Sequence, residues 1–443
     1  MIRLLFIFVL VVCVQAAGAQ ELLTLQQCLK MGIERNLSLK MSFNDSRKAQ
    51  PNLSENRAKL LPQINAVANG NDNFTPTTSV TDGRAFGKSY NVTKTLQYNA
   101  AVGLQLQMPL YNQQLYTSID VAKLMNNINR LSYYKAREDL IVQISKIYYL
   151  IQNTTEQISI INDNIRRFEE LRAITRAFHE NGMALEVDLK RVGVKLENLH
   201  VQVANAQAML AEQYNMLKYV LDYPAEKELK VVEKEVESLD ATVANGLNMN
   251  LYELQLLQEK EKLSAKQKKL IKDGYLPMLN LSANWMYTAF TDKFSNWWHA
   301  GESNHWYKSN GIGISLRIPV FDGFEKRSKL RKAQIVLENA KISYQNTLRN
   351  MQTQYMNAVN DVENNRRNYI KQRENYRLAE DIYGVTMDRY REGIVSMVEV
   401  LQDEMSMSDA QNNYLTAHYN YQVSNLAVLK LTGQLDTLLQ KSM

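Results

Sequence analysis

Side chains that could carry out catalysis are few in this chain of 443 residues. None of the histidines has the spacing of a zinc-binding motif such as H-E-x-x-H, and neither the phosphate loop G-x-x-x-x-G-K-[ST] nor the nucleophile pattern G-x-S-x-G occurs. The histidines are His179, His200, His299, His305 and His418. Adjacent acids such as Glu169 and Glu170 fall in long amphipathic segments, where charges normally face solvent. The sequence therefore predicts no enzyme, no cofactor and no metal site.

The N-terminus predicts export. Arg3 precedes an apolar run over 4–14, and Ala17-Gly18-Ala19 follows it. A positive start, a short apolar stretch and a small-x-small site form a secretory signal peptide, so residues 1–19 are expected to be removed. The run is shorter than the roughly 20 residues that a spanning helix needs. Only Cys28 then remains, which rules out a disulfide within the mature chain.

The charge balance indicates no polyanionic partner. The chain has 52 basic and 46 acidic residues, a formal net charge of +6. No long Lys/Arg run marks a nucleic-acid-binding tail, so we interpret the excess as charge scattered over solvated faces.

The mature sequence contains one plan twice. The stretch GLQLQMP at 103–109 recurs as GISLRIP at 313–319, Leu61-Pro62 recurs as Leu276-Pro277, and Asn36-Leu37 recurs as Asn250-Leu251. Order and spacing are both kept, which is the mark of a tandem repeat. We therefore expect one structural repeat over 20–230 and a second over 240–433. A charged linker at 231–239 separates them, and a C-terminal tail follows at 434–443.

Apolar residues seven apart predict long supercoiled helices in both repeats. Ile144, Ile151 and Ile158 show this spacing in the first repeat, and Tyr369 and Tyr376 show it in the second. The predicted long helices are 112–178 and 322–391, and the return helices are 186–221 and 397–431. About 67 residues would give a helix of roughly 100 Å.

Two glycines and one proline should interrupt the helices. Gly182 and Gly393 follow the long helices and fit left-handed caps at which the chain reverses. Pro51 lies where the first helix should run on to Leu60, so a kink or break is expected there.

Four segments alternate with the period of a strand. They are 62–73, 98–109, 278–288 and 310–319. Strands of about ten residues with one apolar and one polar or small face are typical of membrane barrels. The alternative is a soluble sheet whose apolar face is buried on helices. The loops at 74–97 and 289–309 are long and polar, as the outer loops of membrane barrels are, and this favours the membrane barrel over the soluble sheet.

Aromatic residues also favour the membrane interpretation. They cluster near one strand end, as an interfacial girdle would. These residues are Trp285, Tyr287, Trp297, Trp298 and Trp306. Four strands are too few to close a barrel, and an open sheet edge cannot lie in lipid. Two, three or four copies would therefore have to pool their strands.

The ordered set of motifs resembles the TolC-like outer-membrane efflux and secretion channels over essentially the whole mature chain. The resemblance rests on the tandem repeat, the two Leu-Pro pairs, Pro-Val-Phe-Asp-Gly at 319–323 and Tyr390-Arg391-Glu392-Gly393. It implies a mainly α fold with a small membrane β part. A homotrimer would share a twelve-stranded β-barrel in the outer membrane, continuous with a helical periplasmic tunnel. An inner-membrane transporter and a periplasmic adaptor would deliver the cargo.

The resemblance also implies a periplasmic gate and an adaptor contact. Members of the family carry an acidic ring after the second hairpin turn, and Glu399 matches its first position. The second position is Gln402, a departure from the acidic type, and Asp403 follows it. The turns at Gly182 and Gly393 are candidate adaptor contacts. The alternative for Glu399, and for its counterpart Asp188, is a solvated acid at a helix start.

Two functions therefore compete. One is the passive exit duct of a tripartite efflux or type I secretion system. The other is a secreted periplasmic coiled-coil scaffold with a small β domain.

Overall fold

The computed structural model describes residues 22–232, 246–297 and 305–440, without the side chains of Phe86, Trp297 and His305. The predicted signal peptide and most of the predicted linker lie outside these residues. In chain order the elements are β1 (Leu22–Leu23), α1 (Leu25–Arg35), α2 (Leu37–Ala58), β2 (Gln63–Asp72), β3 (Thr78–Asp82), β4 (Tyr90–Lys94), β5 (Tyr98–Tyr111), α3 (Gln113–Glu180), α4 (Glu186–Leu221), β6 (Lys230–Val231), α5 (Tyr252–Asp273), β7 (Met278–Thr291), β8 (His305–Arg317), α6 (Glu325–Arg391), α7 (Met397–Thr432) and α8 (Thr437–Gln440).

The chain forms two compact units. The helical unit contains the described parts of 1–45, 130–256 and 344–443. The sheet unit contains 46–129 and the described part of 257–343. The predicted mainly α fold with a small β part is confirmed.

The heptad pattern builds the core of the helical unit. Ile144 and Ile151 of α3, seven residues apart, are fully buried together with Leu217 and Leu221 of α4. A second cluster draws side chains from all four long helices near the hairpin turns, including Phe168 of α3. A seven-residue spacing keeps one stripe facing its neighbour over many turns, which explains why both helix pairs stay in contact.

The break in the N-terminal helical segment falls at Asn36, not at Pro51. Asn36 separates α1 from α2 with ψ at 122°, and its side chain accepts a hydrogen bond from the Leu39 amide at 2.9 Å, which caps α2. Helix α2 continues through Pro51 as one element, so the predicted break is wrong. Pro51 has no backbone N–H to donate to the preceding turn, and that turn, which contains Arg47, is exposed to solvent.

Each repeat contains the same contact, in which an asparagine side chain binds the end of the return helix, and this contact shows which residues of the two repeats correspond. The Asn36 side-chain amide donates to the Val220 carbonyl at 2.8 Å, and the Asn248 amide donates to the Thr432 carbonyl at 3.3 Å. The two partners are 184 residues apart in both cases. The structural counterpart of Asn36 is therefore Asn248, rather than Asn250 as the Asn-Leu pair suggested.

The four predicted strand segments form one antiparallel sheet in the order β2-β5-β7-β8. Register places Ile64 opposite Leu106, Leu106 opposite Ala283 and Ala283 opposite Ile312, so the apolar sets of all four strands share one face. Strands β2 and β8 form its two edges. The first long loop contains an unpredicted hairpin, β3–β4. Its signal was present as Asp82-Gly83, a common turn pair.

The predicted C-terminal tail is partly folded into the helical unit. Leu435 and Leu438 are buried in the same cluster as Leu29. The Gln26 side-chain amide donates to the Leu439 carbonyl at 2.5 Å, and Arg137 pairs with Asp436 at 2.9 Å. Leu435 in the turn before the short helix α8 and Leu438 within it were enough to dock this segment, which is too short to show a helical period.

Candidate functional site: the hairpin turns and the sheet face

The two helical hairpins end in turns of the same design. Gly182 and Gly393 both have φ of 74°, the left-handed region that glycine enters without strain. The Gly182 amide donates to the His179 carbonyl at 2.9 Å, and the Gly393 amide donates to the Tyr390 carbonyl at 2.9 Å. The following amides reach back to Phe178 and Arg389, which completes a Schellman cap in each case. The turns present exposed apolar side chains, among them Met183, Leu185, Ile394 and Val398.

Glu399 and Gln402 lie on the exposed surface of the first turns of α7. They are three residues apart, so their side chains occupy the same face of the helix. Glu399 is the acidic residue of the first turn, where the positive end of the helix dipole stabilises a carboxylate. The geometry thus leaves both side chains free to meet another molecule or a second copy.

Asp403 and Glu404 are instead engaged within the helical unit. Thr386 of α6 donates to the Asp403 carboxylate at 2.6 Å. Glu404 is buried and forms an ion pair with Lys195 of α4 at 2.9 Å. Burial raises the pKa of the Glu404 carboxyl, and the Lys195 ammonium opposes that shift. Burial, with the Glu404 charge adding to it, also raises the pKa of Tyr383 to about 12.

Further polar contacts join the helices near the turns, and sequence reasoning missed them. Arg167 of α3 pairs with Glu380 of α6 at 2.6 Å. Buried Asn164 of α3 and Gln411 of α7 exchange side-chain hydrogen bonds at 2.8 and 3.3 Å. The sequence signal for these contacts was the presence of polar residues among the apolar residues of the seven-residue repeat. Polar residues at such positions commonly fix the register between neighbouring helices. Asp188 pairs locally with Arg191 at 3.0 Å, as a helix-start acid does.

The sheet exposes its apolar face. Ile312 is 79% exposed, Ile314 67% and Trp285 60%. The opposite face carries residues such as Asn280, Ser282 and Ser315. Large aliphatic side chains on a continuous face are typical of a surface that contacts lipid or another protein.

The aromatic residues are spread along this face. Trp285 lies midway along β7, opposite Leu104 and Asn310. Tyr287 lies two residues further and faces Lys308, whose ammonium is 5.9 Å from the Tyr287 ring centre.

Trp306 pairs with Ala289, four residues along β7 from Trp285, or about 13 Å at strand spacing. Trp297 lies in a short 3₁₀ helix over Phe294–Trp297, and Trp298 is outside the described residues. The interfacial role of these five side chains stays a prediction.

Within the described ranges, no three His, Cys, Asp or Glu side chains come close enough to hold a metal ion. No helix among the same residues combines the length and apolar character needed to cross a bilayer.

Comparison with known proteins decides the family. The family described as "Outer membrane efflux protein" matches residues 29–221 and 263–434, which is most of the chain. The chain belongs to the outer membrane efflux protein family. It is an outer-membrane channel protein whose helical part lies in the periplasm.

Individual members of the outer membrane efflux protein family are distant in sequence. The probable efflux pump outer membrane protein TtgC of Pseudomonas putida is 21% identical, over 92% of this chain and 82% of the relative. The outer membrane protein TolC of Escherichia coli is 20% identical, over 90% of this chain and 80% of the relative.

The crystal structure of the Campylobacter jejuni CmeC outer membrane channel matches with a TM-score of 0.74 at 18% identity, covering 93% of this chain and 85% of that one. This match shows that the two chains share a fold.

Proposed function

We propose that this chain is the outer-membrane exit duct of a tripartite efflux or type I secretion system. It conducts substrates passively from a periplasmic adaptor and an inner-membrane transporter to the exterior. The gate is at the turn-bearing end of the helical hairpins.

The exposed apolar face of an open four-stranded sheet carries this proposal. Ile64, Leu104, Ile312 and Ile314 are each about half exposed or more, although a water-soluble sheet would bury such residues. Contact with the lipid hydrocarbon would remove the free-energy cost of exposing these side chains to water. The same face argues against the alternative of a periplasmic scaffold, since that role needs no such surface.

The free edges of β2 and β8 support assembly of several copies. Unpaired strand edges cannot remain in hydrocarbon, because each unsatisfied peptide group costs several kcal/mol there. Strand β8 of one copy would pair with β2 of the next. Three copies would give the twelve strands expected from the family resemblance, and each would contribute two helical hairpins to the tunnel.

Glu399 supports the gate assignment. Its carboxylate is exposed beside the Gly393 turn and makes no ion pair in the part of the chain described. In a cyclic assembly, one Glu399 per copy would form an anionic ring that favours cations. Gln402 lies on the same face one turn later as a neutral neighbour.

The test combines assembly with conductance. The mature chain should be extracted from outer membranes only by detergent, run as an oligomer and form channels in planar bilayers. Glu399→Lys should lower cation preference strongly, and Glu399→Gln should lower it less, because the first substitution reverses the charge and the second only removes it.

A neighbouring acid provides the control. Glu392→Lys changes an exposed acidic residue next to Gly393 by the same charge. Ion selectivity that is unchanged in Glu399→Lys would remove the gate assignment. A mature chain that purifies as a water-soluble monomer would contradict the duct itself.

A further inference from the structure

Cations gather at the end of the sheet where its strands join helices. Helix α5 ends at Asp273 just before β7, and α6 begins at Glu325 just after β8. Antiparallel pairing places Met278 opposite Arg317, so both junctions lie at one end of the sheet. Four exposed cations at the end of α5 and the start of α6 have no acidic partner among the described residues, and we name them the basic collar: Lys272, Arg327, Arg331 and Lys332.

The collar cations differ from their neighbours in having no acidic partner. Lys266 pairs with Asp120 at 3.1 Å, and Lys326 pairs with Asp322 at 3.3 Å. Lys329 likewise pairs with Glu325. None of the four collar side chains forms an ion pair with the residues that the structure describes. The sequence predicted that the positive excess is scattered over solvated faces, but the fold gathers these four cations in one place.

The collar is one surface, although it comes from two helices. Lys268 of α5 donates to the Gln334 side chain of α6 at 2.5 Å, which places the end of α5 beside the start of α6. Arg327 and Arg331 are four residues apart and occupy one face of α6. Arg327 to Lys332 spans about 8 Å of helix at 1.5 Å per residue, which is close to the depth of a lipid headgroup layer.

Exposed aromatic rings lie between the collar and the sheet. Tyr275 is 43% exposed, Phe321 75% and Phe324 61%. The Phe321 and Phe324 rings meet edge to face with centres 5.4 Å apart, and the Lys326 ammonium lies 5.5 Å from the Tyr275 ring centre.

Phe324 also has φ of 67°, a left-handed conformation that is unfavourable for a bulky residue. The chain thus accepts backbone strain at a position where the side chain remains exposed. Aromatic rings next to hydrocarbon, with cations just beyond them, are the order of groups found at a membrane–water interface.

Resting on the proposed function, in which the apolar face of the sheet meets lipid, we propose that the basic collar binds the phosphate groups of anionic phospholipids in the periplasmic leaflet of the outer membrane. The apolar face of the sheet ends at Leu279 and Leu316, at the same end of the sheet as the collar, so the lipid that covers this face would bring its headgroup towards the cations. Guanidinium groups bind phosphate oxygens through two parallel hydrogen bonds, which suits Arg327 and Arg331. Continuity with the lipid-facing sheet favours a lipid over an acidic protein.

The experiment measures lipid preference on the full mature chain. The detergent-extracted oligomer is incubated with equal amounts of phosphatidylglycerol and phosphatidylcholine, and retained lipids are counted by native mass spectrometry. The native chain should retain phosphatidylglycerol preferentially. The triple variant Lys272→Gln, Arg327→Gln and Arg331→Gln should lower the ratio of bound phosphatidylglycerol to phosphatidylcholine by about fivefold or more, since each cation near an anionic lipid surface contributes on this order.

Two matched variants isolate the collar. Arg349→Gln, Arg366→Gln and Arg377→Gln together remove the same charge from exposed positions further along α6, and should leave the ratio unchanged. Arg327→Lys with Arg331→Lys retains the charge and should keep most of the preference. The oligomer mass in the same spectra shows whether each variant assembles.

Three outcomes would overturn the proposal. The first is a ratio that stays high in the collar variant, as it would if an acidic protein were the natural occupant. The second is an equal loss in the control variant. The third is release of all bound anionic lipid by inorganic phosphate with no preference among lipids, which would indicate a general anion site. If the triple variant does not assemble, Lys272→Gln and Arg331→Gln tested singly should each lower the ratio, and no change in either would overturn the proposal.

Discussion

At the scale of single residues, Glu138 of α3 makes the helical unit sensitive to pH. Burial raises its pKa to about 7, Asp139 and Asp436 raise it further, and Lys430 and Arg137 oppose the shift. A carboxyl with a raised pKa contributes stability when protonated, and that contribution is lost as pH rises from about 4.5 through about 7.

Glu138→Gln should therefore gain melting temperature relative to the native chain on going from pH 5 to pH 8, because glutamine stays neutral throughout. Differential scanning calorimetry at the two pH values measures this change. Glu197→Gln on the exposed face of α4 is the control. A constant difference between native and Glu138→Gln proteins would contradict the assignment.

The Lys195–Glu404 ion pair gives a second prediction at this scale. Glu404 is only 1% exposed, so removal of Lys195 leaves a buried carboxylate without its partner. Lys195→Met should destabilise the protein by about 3 kcal/mol, while Lys195→Met with Glu404→Met should be much closer to the native chain. A double-mutant cycle in thermal unfolding measures the coupling. Additive effects of the two substitutions would show that the pair contributes no specific interaction.

At the scale of elements, both hairpin turns depend on a glycine in the left-handed region. Gly393→Ala should destabilise by about 1 kcal/mol, because alanine has a Cβ that this conformation crowds. Gly384, nine residues earlier within α6, has open space around its Cα.

Gly384→Ala should therefore stabilise by roughly 0.5–1 kcal/mol, since alanine favours helix. Relative to the native chain, Gly393→Ala should lower the melting temperature and Gly384→Ala should raise it. A loss of stability in both variants would mean that a methyl group at position 384 is not accommodated by its surroundings.

At the scale of the whole molecule, assembly should depend on which sheet face is changed. Ile314 lies on the exposed apolar face, and Ser315 is its neighbour on the polar face. Ile314→Lys should prevent insertion or lower the yield of membrane oligomer, because a lysine facing hydrocarbon costs about 2–4 kcal/mol at the bilayer centre.

Ser315→Lys carries the same charge one residue away and should assemble close to normally. Quantitative immunoblots of outer-membrane fractions, run without heating to preserve oligomers, compare the two variants. Equal yields would argue that the apolar face does not meet lipid.

Much of this architecture follows from local periodicity in the sequence. Seven-residue spacing predicted the long helices, and two-residue alternation predicted the four strands of the sheet, because each period fixes which side chains share a face. Gly182 and Gly393 were found in the same way, since a left-handed cap has a strong residue preference. The gate role of Glu399 stays a prediction, because it depends on neighbouring copies.

Other features depend on partners that are distant in sequence, and only the tertiary structure decided them. A kink or break was expected at Pro51, yet the break lies at Asn36, whose side chain binds the end of α4. Nothing in the local sequence marks Glu404 as buried, and only the packing of α7 on α4 places it against Lys195. The sequence alone determines how its apolar side chains are spaced and which of its side chains carry charge. Which polar groups are buried, paired or left facing lipid depends on how distant helices and strands pack, and that information is not local.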